Sequence, residues 1–386
     1  MFISPEIEAK YGRTRLEGGE VLLTVVGSVG QVAVVPKTLA GFNVARAVAV
    51  LHPLENLAPE WIALCLRSPL SLHLLGSRAN TTVQTTINLK DLRALPIPVP
   101  PKTELKAITE FIGALDDRIT LLRETNATLE AIAQALFKSW FVDFDPVRGK
   151  QEGRAPEGMD EATAAFFPDR FEESELGLVP RGWGVEPIGN MVETVGGGTP
   201  NTKDQSYWEP AEFCWTTPKD LSAICAPVLL DTERKLSAKG VTKISSGLLP
   251  VGTLLMSSRA PIGYLAITQA PMAINQGYIA MLPGGALTPL YLLFWCRQNM
   301  ETIKNHANGS TFMEISKKAF RPLPALLPPP ELVAEFSAVG NALFQRVVEN
   351  ERQAQTLATL RDTLLPRLIS GQLRLPEAEA MVATAV

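Results

Sequence analysis

Two long stretches of helical periodicity constrain this chain more than any other feature of its sequence. Apolar residues recur in steps of three and four through residues 100–145 and again through residues 328–375. Such steps, sustained over about five heptads, are typical of a coiled-coil seam. A helix of about 40 residues is roughly 60 Å long. Each helix therefore needs a partner that covers its apolar stripe, and we predict that the two pair antiparallel.

The same steps predict which side chains form the two seams. In the first helix they are Ile108, Phe111, Leu115, Ile119, Leu122, Leu129, Ile132, Leu136 and Trp140. In the second they are Phe336, Val339, Leu343, Val347, Leu357, Leu360, Leu364 and Leu368. Asn126 and Asn350 lie near mid-seam, where an amide can fix the register. Leu121, Phe137 and Val348 are expected to lie outside the seam and to need a partner protein as cover.

The sequence that precedes each helix is also duplicated. LEGGEVLLTVVGSVGQVAVV (16–35) matches LLPVGTLLMSSRAPIGYLAIT (248–268), which aligns Gly19 with Gly252 and Gly30 with Gly263. The internal offset stays between about 225 and 233 residues, so each half contains one globular module and one long helix. Two unrelated helices are the alternative, but they would not account for the matching sequence in front of them.

This duplication predicts the fold class and the domain organisation. The class is α+β, with two mixed α/β modules, two long helices in an antiparallel coiled coil and a pseudo-two-fold internal repeat. The predicted order is a first module (1–99), a first long helix (100–145), a linker (146–182), a second module (183–327), a second long helix (328–375) and a tail (376–386). The linker is predicted from its Pro, Gly and acidic content.

The distribution of charge favours a polyanionic partner, although the net charge of the chain is −4. Residues 143–182 hold ten acidic residues against five Lys and Arg. The stretch from Arg234 to Arg321 holds ten Lys and Arg against only Glu301 and Glu314. A local excess of this kind indicates a surface that binds nucleic acid. A solvated face neutralised by acids from elsewhere in the fold is the alternative.

Several classes of function have no support in the sequence. The four cysteines form no CxxC pair and the three histidines stand at no ligand spacing, so we expect neither zinc nor disulfides, as in a reducing cytoplasm. No phosphate-binding GxxxxGK loop, NPPY-type methyltransferase motif or signal peptide is present. Glu8 to Lys10 resembles a nuclease triplet without its upstream acid, and Asp143 and Asp145 are typical of solvated charge. We expect no catalytic residue, metal or cofactor.

The order of motifs resembles the specificity subunit of type I restriction–modification systems. The motifs that carry the resemblance are LFKSWFVDFDP (136–146), ESELGLVPRGWGVEPIG (173–189), GGGTP (196–200), TTPKDL (216–221), SSRAPIGYLAI (257–267), NQG (275–277) and LLPRLISGQLRL (364–375). The resemblance covers nearly the whole chain and implies that each module is a target recognition domain for one half of a bipartite DNA sequence. It also implies that the helices dock methyltransferase subunits, two of them, and through these the restriction subunits.

The chain departs from this family in its first target recognition domain. Residues 183–234 have no counterpart before the first module, so we expect an N-terminally truncated domain with an unpaired sheet edge. We predict a cytoplasmic, non-catalytic subunit that recognises double-stranded DNA. A truncated scaffold that binds methyltransferase subunits without reading DNA is the alternative, and a self-contained methyltransferase lacks the motifs it would need.

Direct reading of bases requires side chains that present hydrogen-bond donors or acceptors in a groove. The candidate DNA-binding residues are Lys219, Arg259, Asn275, Gln276, Lys317 and Lys318 in the second module and Arg46, Gln84, Thr85 and Lys90 in the first. Arg259 lies in a predicted turn, where it either projects into a groove or only caps the turn. The Asn275 amide is expected to bond loop backbone. Lys317 and Lys318 are predicted to hold phosphates.

Overall fold

The structure is a computed structural model of the 386-residue chain. It describes residues 4, 6, 8, 11–55, 57–78, 86–156, 158–309 and 313–385, with the backbone alone for Arg13 and Arg78. The chain divides into two compact units. The first unit comprises Met1–Leu121 and Gln353–Val386, and the second comprises Leu122–Arg352.

The first unit contains a small antiparallel sheet of order β2-β1-β3. Its strands are β1 (Val21–Thr24), β2 (Val32–Val34) and β3 (Val48–Leu51). The helices that follow are α1 (Pro59–Arg67), α2 (Pro69–Arg78), α3 (Leu89–Arg93) and the long helix α4 (Lys102–Phe141). Buried Val21 and Leu23 alternate with less buried neighbours along β1. This period-two pattern is what the hairpin-like sequence predicts.

The segment between the first long helix and the second module is structured and packed, in contrast to the predicted linker. It contains α5 (Asp145–Gln151), α6 (Glu161–Ala165) and the hairpin of β4 (Phe171–Ser174) and β5 (Gly177–Pro180). Val147, Phe167 and Val179 are buried in the main core of the second unit. These few apolar side chains are enough to anchor the segment because they join an existing core and do not have to form their own.

The second module is built on a five-stranded sheet of order β7-β14-β11-β12-β9, a three-stranded sheet of order β10-β8-β13 and a β15-β6 pair. The strands are β6 (Gly184–Pro187), β7 (Thr194–Val195), β8 (Phe213–Thr216), β9 (Val228–Leu229), β10 (Arg234–Leu236), β11 (Leu254–Ser257), β12 (Leu265–Thr268), β13 (Met272–Ile274), β14 (Tyr278–Met281) and β15 (Pro324–Leu327). The helices are α7 (Ile188–Met191), α8 (Pro218–Ser222), α9 (Ala238–Val241), α10 (Pro289–Gln298), α11 (Met300–Asn305) and α12 (Lys317–Phe320). The chain continues with the long helix α13 (Pro330–Ile369) and ends with α14 (Leu375–Ala385).

The two long helices, α4 and α13, have 40 residues each. Within each unit, the α4 segment and the C-terminal helical segment beside it run antiparallel. In the first unit, Arg374 Nη1 lies 3.2 Å from Glu104 Oε1, and Arg361 Nη1 lies 2.7 Å from Asp116 Oδ1. The residue number of the arginine falls as the residue number of its α4 partner rises, so the two segments run in opposite directions. The predicted α+β fold with paired long helices is therefore confirmed.

In the second unit, the predicted mid-seam asparagines meet. Asn350 Nδ2 donates to Asn126 Oδ1 at 2.8 Å, and Asn126 Nδ2 donates to Glu351 Oε1 at 2.8 Å. Both asparagines are almost fully buried. A buried amide pair is satisfied only when the two residues face each other, so it selects one register of the helices.

The seam prediction is wrong at two positions. Ile132 and Val339 are 51% and 49% exposed, whereas the next residues, Ala133 and Gly340, are buried. An apolar pattern with steps of three and four residues can be shifted by one residue and still fit the helical period. The buried positions carry small residues, with Gly340 facing Leu290 of α10, which is why the sequence favoured their larger neighbours.

Two residues expected to await a partner protein are covered within the chain. Phe137 and Val348 are 3% and 0% exposed and belong to the core of the second unit. Phe137 packs against Tyr291 of α10 and Phe336 of α13, with ring centroids 5.0 and 5.7 Å apart. The module itself therefore covers this part of the helices. Leu121 is 52% exposed, as expected.

Candidate nucleic-acid interface

The loop between β11 and β12 is organised by one buried hydroxyl. Ser257 Oγ donates to the carbonyl of Pro261 at 2.8 Å and accepts from the backbone N–H groups of Gly263 and Tyr264 at 3.0 and 2.8 Å. Gly263 has a φ of +105°, and a Cβ there would lie 2.5 Å from Met300 Sδ. The loop is thus fixed from inside, which leaves the side chain of Arg259 exposed at its tip.

Backbone hydrogen bonds join this loop to two neighbouring segments. Ser258 donates its N–H to the carbonyl of Gly277 at 2.8 Å, and Ile315 donates its N–H to the carbonyl of Ser258 at 2.9 Å. The first bond connects the NQG segment (275–277), and the second connects the segment that precedes α12. Three regions that are distant in the sequence therefore meet where the central strand β11 ends and its neighbour β14 begins.

The GGGTP segment (196–200) packs next to the same strand ends. A Cβ on Gly197 would lie 1.9 Å from the carbonyl oxygen of Ile274, so only glycine fits there. Gly198 donates its N–H to that same carbonyl at 2.9 Å. The four segments enclose an open cleft of about 320 Å³, lined among others by Gly196, Ser258, Gln276, Glu314 and Lys317.

Two of the predicted readers have defined partners at this cleft. Arg259 Nε lies 3.0 Å from Glu314 Oε1, and both side chains remain nearly half exposed. Thr199 Oγ1 donates to Gln276 Oε1 at 2.7 Å, which turns the amide NH₂ of Gln276 away from Thr199. Both side chains therefore keep unused donors on exposed loops, and donors are what the acceptor-rich edges of purines require.

The remaining candidates of the second module occupy different surroundings. Asn275 Oδ1 accepts from the N–H of Gly277 at 2.9 Å, which is the backbone role expected for it. Lys317 lines the cleft beside Gly196, and Lys318 is exposed on the same short helix. Lys219 lies outside the cleft lining. Its ammonium is 2.7 Å from Glu233 Oε2, and this hydrogen bond raises the pKa of Lys219 above its ordinary value.

In the first module, two of the four candidates can be placed. Arg46 is exposed just before β3, next to Ala47, whose carbonyl accepts from the N–H of Val25 at 2.8 Å. Lys90 is exposed on α3. Gln84 and Thr85 lie outside the described residues.

The cationic stretch from Arg234 to Arg321 is only partly a binding surface. Arg297 is paired with Glu130 of α4 at 2.9 Å. Arg321 donates to the side chain and the carbonyl of Thr194, both at 2.7 Å. The guanidinium of Arg234 stacks 3.6 Å from the ring centre of Trp208. These three cations stabilise the fold, so the charge excess of the sequence overstates the charge available to a ligand.

Three residues that shape the site were not predicted: Ser257, Thr199 and Glu314. The duplication offered a signal for Ser257, because it aligns with another hydroxyl residue, Thr24. Glu314 also had a signal, since it is one of only two acids in a strongly cationic stretch. Nothing in the sequence distinguished Thr199 from the other threonines.

Comparison with known proteins assigns the family. The profile of the type I restriction modification DNA specificity domain matches residues 2–131 and 180–335. The chain belongs to this family. Its two matched regions contain the two modules, and each extends into the following long helix.

The chain is similar to two named relatives and to one solved structure. The chain is 26% identical over 391 residues to the type I restriction enzyme HindI specificity subunit of Haemophilus influenzae, covering 89% of this chain and 84% of that protein. It is 34% identical over 185 residues to the MjaIX specificity subunit of Methanocaldococcus jannaschii, covering 47% and 42%. The crystal structure of the S subunit from M. genitalium is 18% identical, with a TM-score of 0.46, and covers 91% of this chain and 83% of that one.

Family membership confirms the expectation of a non-catalytic specificity subunit. Within the part of the chain that the structure describes, no group of three His, Cys, Asp or Glu side chains could hold a metal ion. Glu8, of the nuclease-like triplet, forms an ion pair with Arg15 at 2.6 Å, and Asp143 pairs with Lys138. No helix in the described ranges combines the length and the apolar character that a membrane crossing requires.

Proposed function

We propose that this chain reads a bipartite DNA target for a type I restriction–modification complex, with one half-site read by each module. The observation that carries this proposal is the cleft of the second module, where four loop segments bring together Gln276, Lys317 and Glu314, the ion-pair partner of Arg259, within a family of DNA specificity domains. The chain would act in the cytoplasm, together with the DNA that it recognises. Two methyltransferase subunits would dock on the helices, and the restriction subunits would dock through them.

The residues of the second module divide into two roles. Arg259 and Gln276 are the proposed base readers, because their unused donors lie on exposed loops that are fixed from behind. Lys317 and Lys318 are the proposed phosphate contacts, since a lysine offers a flexible point charge without the planar geometry that distinguishes bases. Lys219 would contribute least, because Glu233 already neutralises it.

The first module would read the other half-site through Arg46, with Lys90 as a phosphate contact and Gln84 and Thr85 as further candidates. Arg46 follows the same logic as Gln276, since each precedes the residue whose carbonyl holds the β-loop in place. We retain the predicted domain boundaries for this proposal, with the first module at 1–99 and the second at 183–327.

Methylation mapping tests the function directly. The chain would be co-produced with its methyltransferase subunits in a host without other adenine methylation, and modified positions would be located by sequencing. We expect one bipartite motif. Arg259→Ala should relax one base of one half-site, whereas Lys317→Ala should reduce methylation at all sites alike. Lys219→Ala is the matched control and should change neither.

Two results would argue against the proposal. A complex that assembles but modifies DNA without any motif would favour the scaffold alternative. A motif that changes at both half-sites in Arg259→Ala would indicate that this residue supports the fold and does not read bases.

A further inference from the structure

Glu314 is an unusual residue for a DNA-binding cleft. It is one of two acids between Arg234 and Arg321, and it lines the cleft where the phosphates of a duplex would approach. A carboxylate at that position repels DNA through its charge. A carboxylate at this position therefore requires a structural or recognition role whose benefit exceeds the repulsion of DNA.

The contact that Glu314 makes suggests what that is. Its Oε1 lies 3.0 Å from the Nε of Arg259 and forms an ion pair with it. Nη1 and Nη2 of Arg259 have no hydrogen-bond partner among the described residues. Each terminal nitrogen carries N–H donors, and together they form the planar fork that recognises two acceptors at once.

The backbone keeps the two residues opposite each other. Arg259 and Glu314 form an isolated antiparallel β-bridge. Glu314 also exchanges two backbone hydrogen bonds with Asn308, both at 2.9 Å. The ion pair therefore joins two fixed segments, and its geometry does not depend on a chance meeting of two mobile side chains.

We propose that Arg259 and Glu314 act as one reading unit for guanine, with Glu314 as the positioning residue. This inference rests on the proposed function of the second module. In the major groove, guanine presents O6 and N7 side by side, and the arginine fork matches this pair of acceptors. The half-site read by the second module should therefore contain a guanine that Arg259 contacts.

The test uses the chain assembled with its methyltransferase subunits and a duplex library of random sequence. Selection with the unmodified chain and with Arg259→Ala shows which half-site depends on Arg259. Each guanine of that half-site is then replaced by 7-deazaguanine or by hypoxanthine. We expect 7-deazaguanine, which lacks N7, to weaken binding about tenfold. Hypoxanthine retains N7 and O6 and should bind like guanine.

Variants separate positioning from charge. Glu314→Ala should lower the preference for guanine about tenfold and at the same time strengthen binding to random DNA, because a negative charge is removed. Glu301→Ala removes the other acid of the stretch, so it should strengthen random binding without changing the preference. Glu314→Gln keeps a side-chain oxygen that can accept from Nε, so it should restore part of the preference for guanine. If Glu314→Ala does not fold, the preference is measured with Glu314→Gln instead.

The outcomes distinguish this inference from the proposed function. If the unmodified complex selects no sequence, the proposed function itself is wrong. If Arg259→Ala abolishes the guanine preference while Glu314→Ala and Glu314→Gln both preserve it, Glu314 does not position the arginine. A half-site insensitive to 7-deazaguanine at every guanine would overturn the assignment of the base.

Discussion

The two modules build the same loop with the same hydrogen bonds. Thr24 Oγ1 in the first module donates to the carbonyl four residues ahead and accepts from the N–H seven residues ahead. Ser257 Oγ makes the equivalent bonds in the second module. In both, the following segment docks through an isoleucine N–H, from Ile87 to Val25 and from Ile315 to Ser258, each at 2.9 Å. The internal repeat is therefore present in the bonding as well as in the sequence.

The side chains at equivalent positions around this common loop are different. These bonds align Val26 with Arg259 and Thr86 with Glu314, and the isolated β-bridge is Val26–Thr86 in the first module and Arg259–Glu314 in the second. The same bonds align Arg46 with Gln276. The hydroxyl and the isoleucine that hold the loop are retained between the modules, whereas the residues proposed to read DNA are not. Two modules of one design should consequently read two different half-sites.

The sheets around these loops also differ. In the second module β14 pairs with β7 and β12 pairs with β9. The corresponding strands of the first module are β3 and β2. Among the described residues they are the two edge strands of the three-stranded sheet. β7 and β9 both belong to residues 183–234, at the start of the second module.

The largest effect is expected at Gly197 of the second module. Gly197→Ala places a Cβ 1.9 Å from a backbone oxygen, so the strand or the loop must move, at a cost of about 3 kcal/mol. The urea concentration at the midpoint of unfolding should therefore fall. Tryptophan fluorescence can follow it, because Trp215 Nε1 donates to the adjacent Gly198 carbonyl. Gly198→Ala meets nothing within 4 Å and is the matched control. Equal midpoints for the two variants would contradict the packing described.

The next effect compares the two loop hydroxyls. Ser257→Ala removes the acceptor of the Tyr264 N–H and one of the two acceptors of the Gly263 N–H, which also bonds the Ser257 carbonyl at 3.1 Å. It should cost about 2 kcal/mol, whereas Thr24→Ala, at a partly exposed site, should cost about 1 kcal/mol. Hydrogen exchange would measure this locally. The amides of Gly263 and Tyr264 should lose more protection than that of Gln31. The shared design of the loops would be in doubt if neither substitution changed exchange in its own loop.

A smaller effect follows from the aligned readers. Arg46→Gln gives the first module the residue that the second carries at this position. It should change the preferred base at one position of one half-site by about five- to tenfold and leave the other half-site unchanged. Binding to duplex libraries provides the measurement. Unaltered selection in both half-sites would remove Arg46 from the readers.

The smallest effect concerns the two aligned lysines. Lys90→Ala and Lys318→Ala should each weaken binding to every sequence and reduce the slope of log K against log salt by about 0.9. Neither should alter the motif. A change in the preferred sequence for either variant would show that the lysine reads a base and does not only hold a phosphate.

The sequence was most informative where a pattern repeats. Helical periodicity predicted the long helices to within a few residues of their bounds, and Asn126 and Asn350 meet as expected. The prediction failed where a small residue carries the contact, as at Ala133, and where burial depends on a distant segment, as at Phe137 and in the segment 146–182. Periodicity describes one face of one helix and contains no information about what covers the other face.

The candidate readers were chosen from the sequence by residue type, and their partners could not be. Arg259 and Gln276 were predicted because few side chains can read bases, and their role stays a prediction. Their orientation depends on Glu314 and Thr199, which lie far from them in the sequence and meet them only through the fold. Such pairs follow from tertiary hydrogen bonds between loops, and local sequence rules do not describe those bonds.

The buried hydroxyl of Ser257 and its equivalent in Thr24 have a consequence for how this protein can evolve. Because one inward-facing oxygen and the main chain carry the loop, the exposed positions around it can mutate at little cost to folding. A single substitution at an exposed reader could then give a lineage a new target while the rest of the chain stays intact. The Arg259–Glu314 pair is the exception, since replacing it without loss requires two changes together, and we expect it to persist longer than its neighbours.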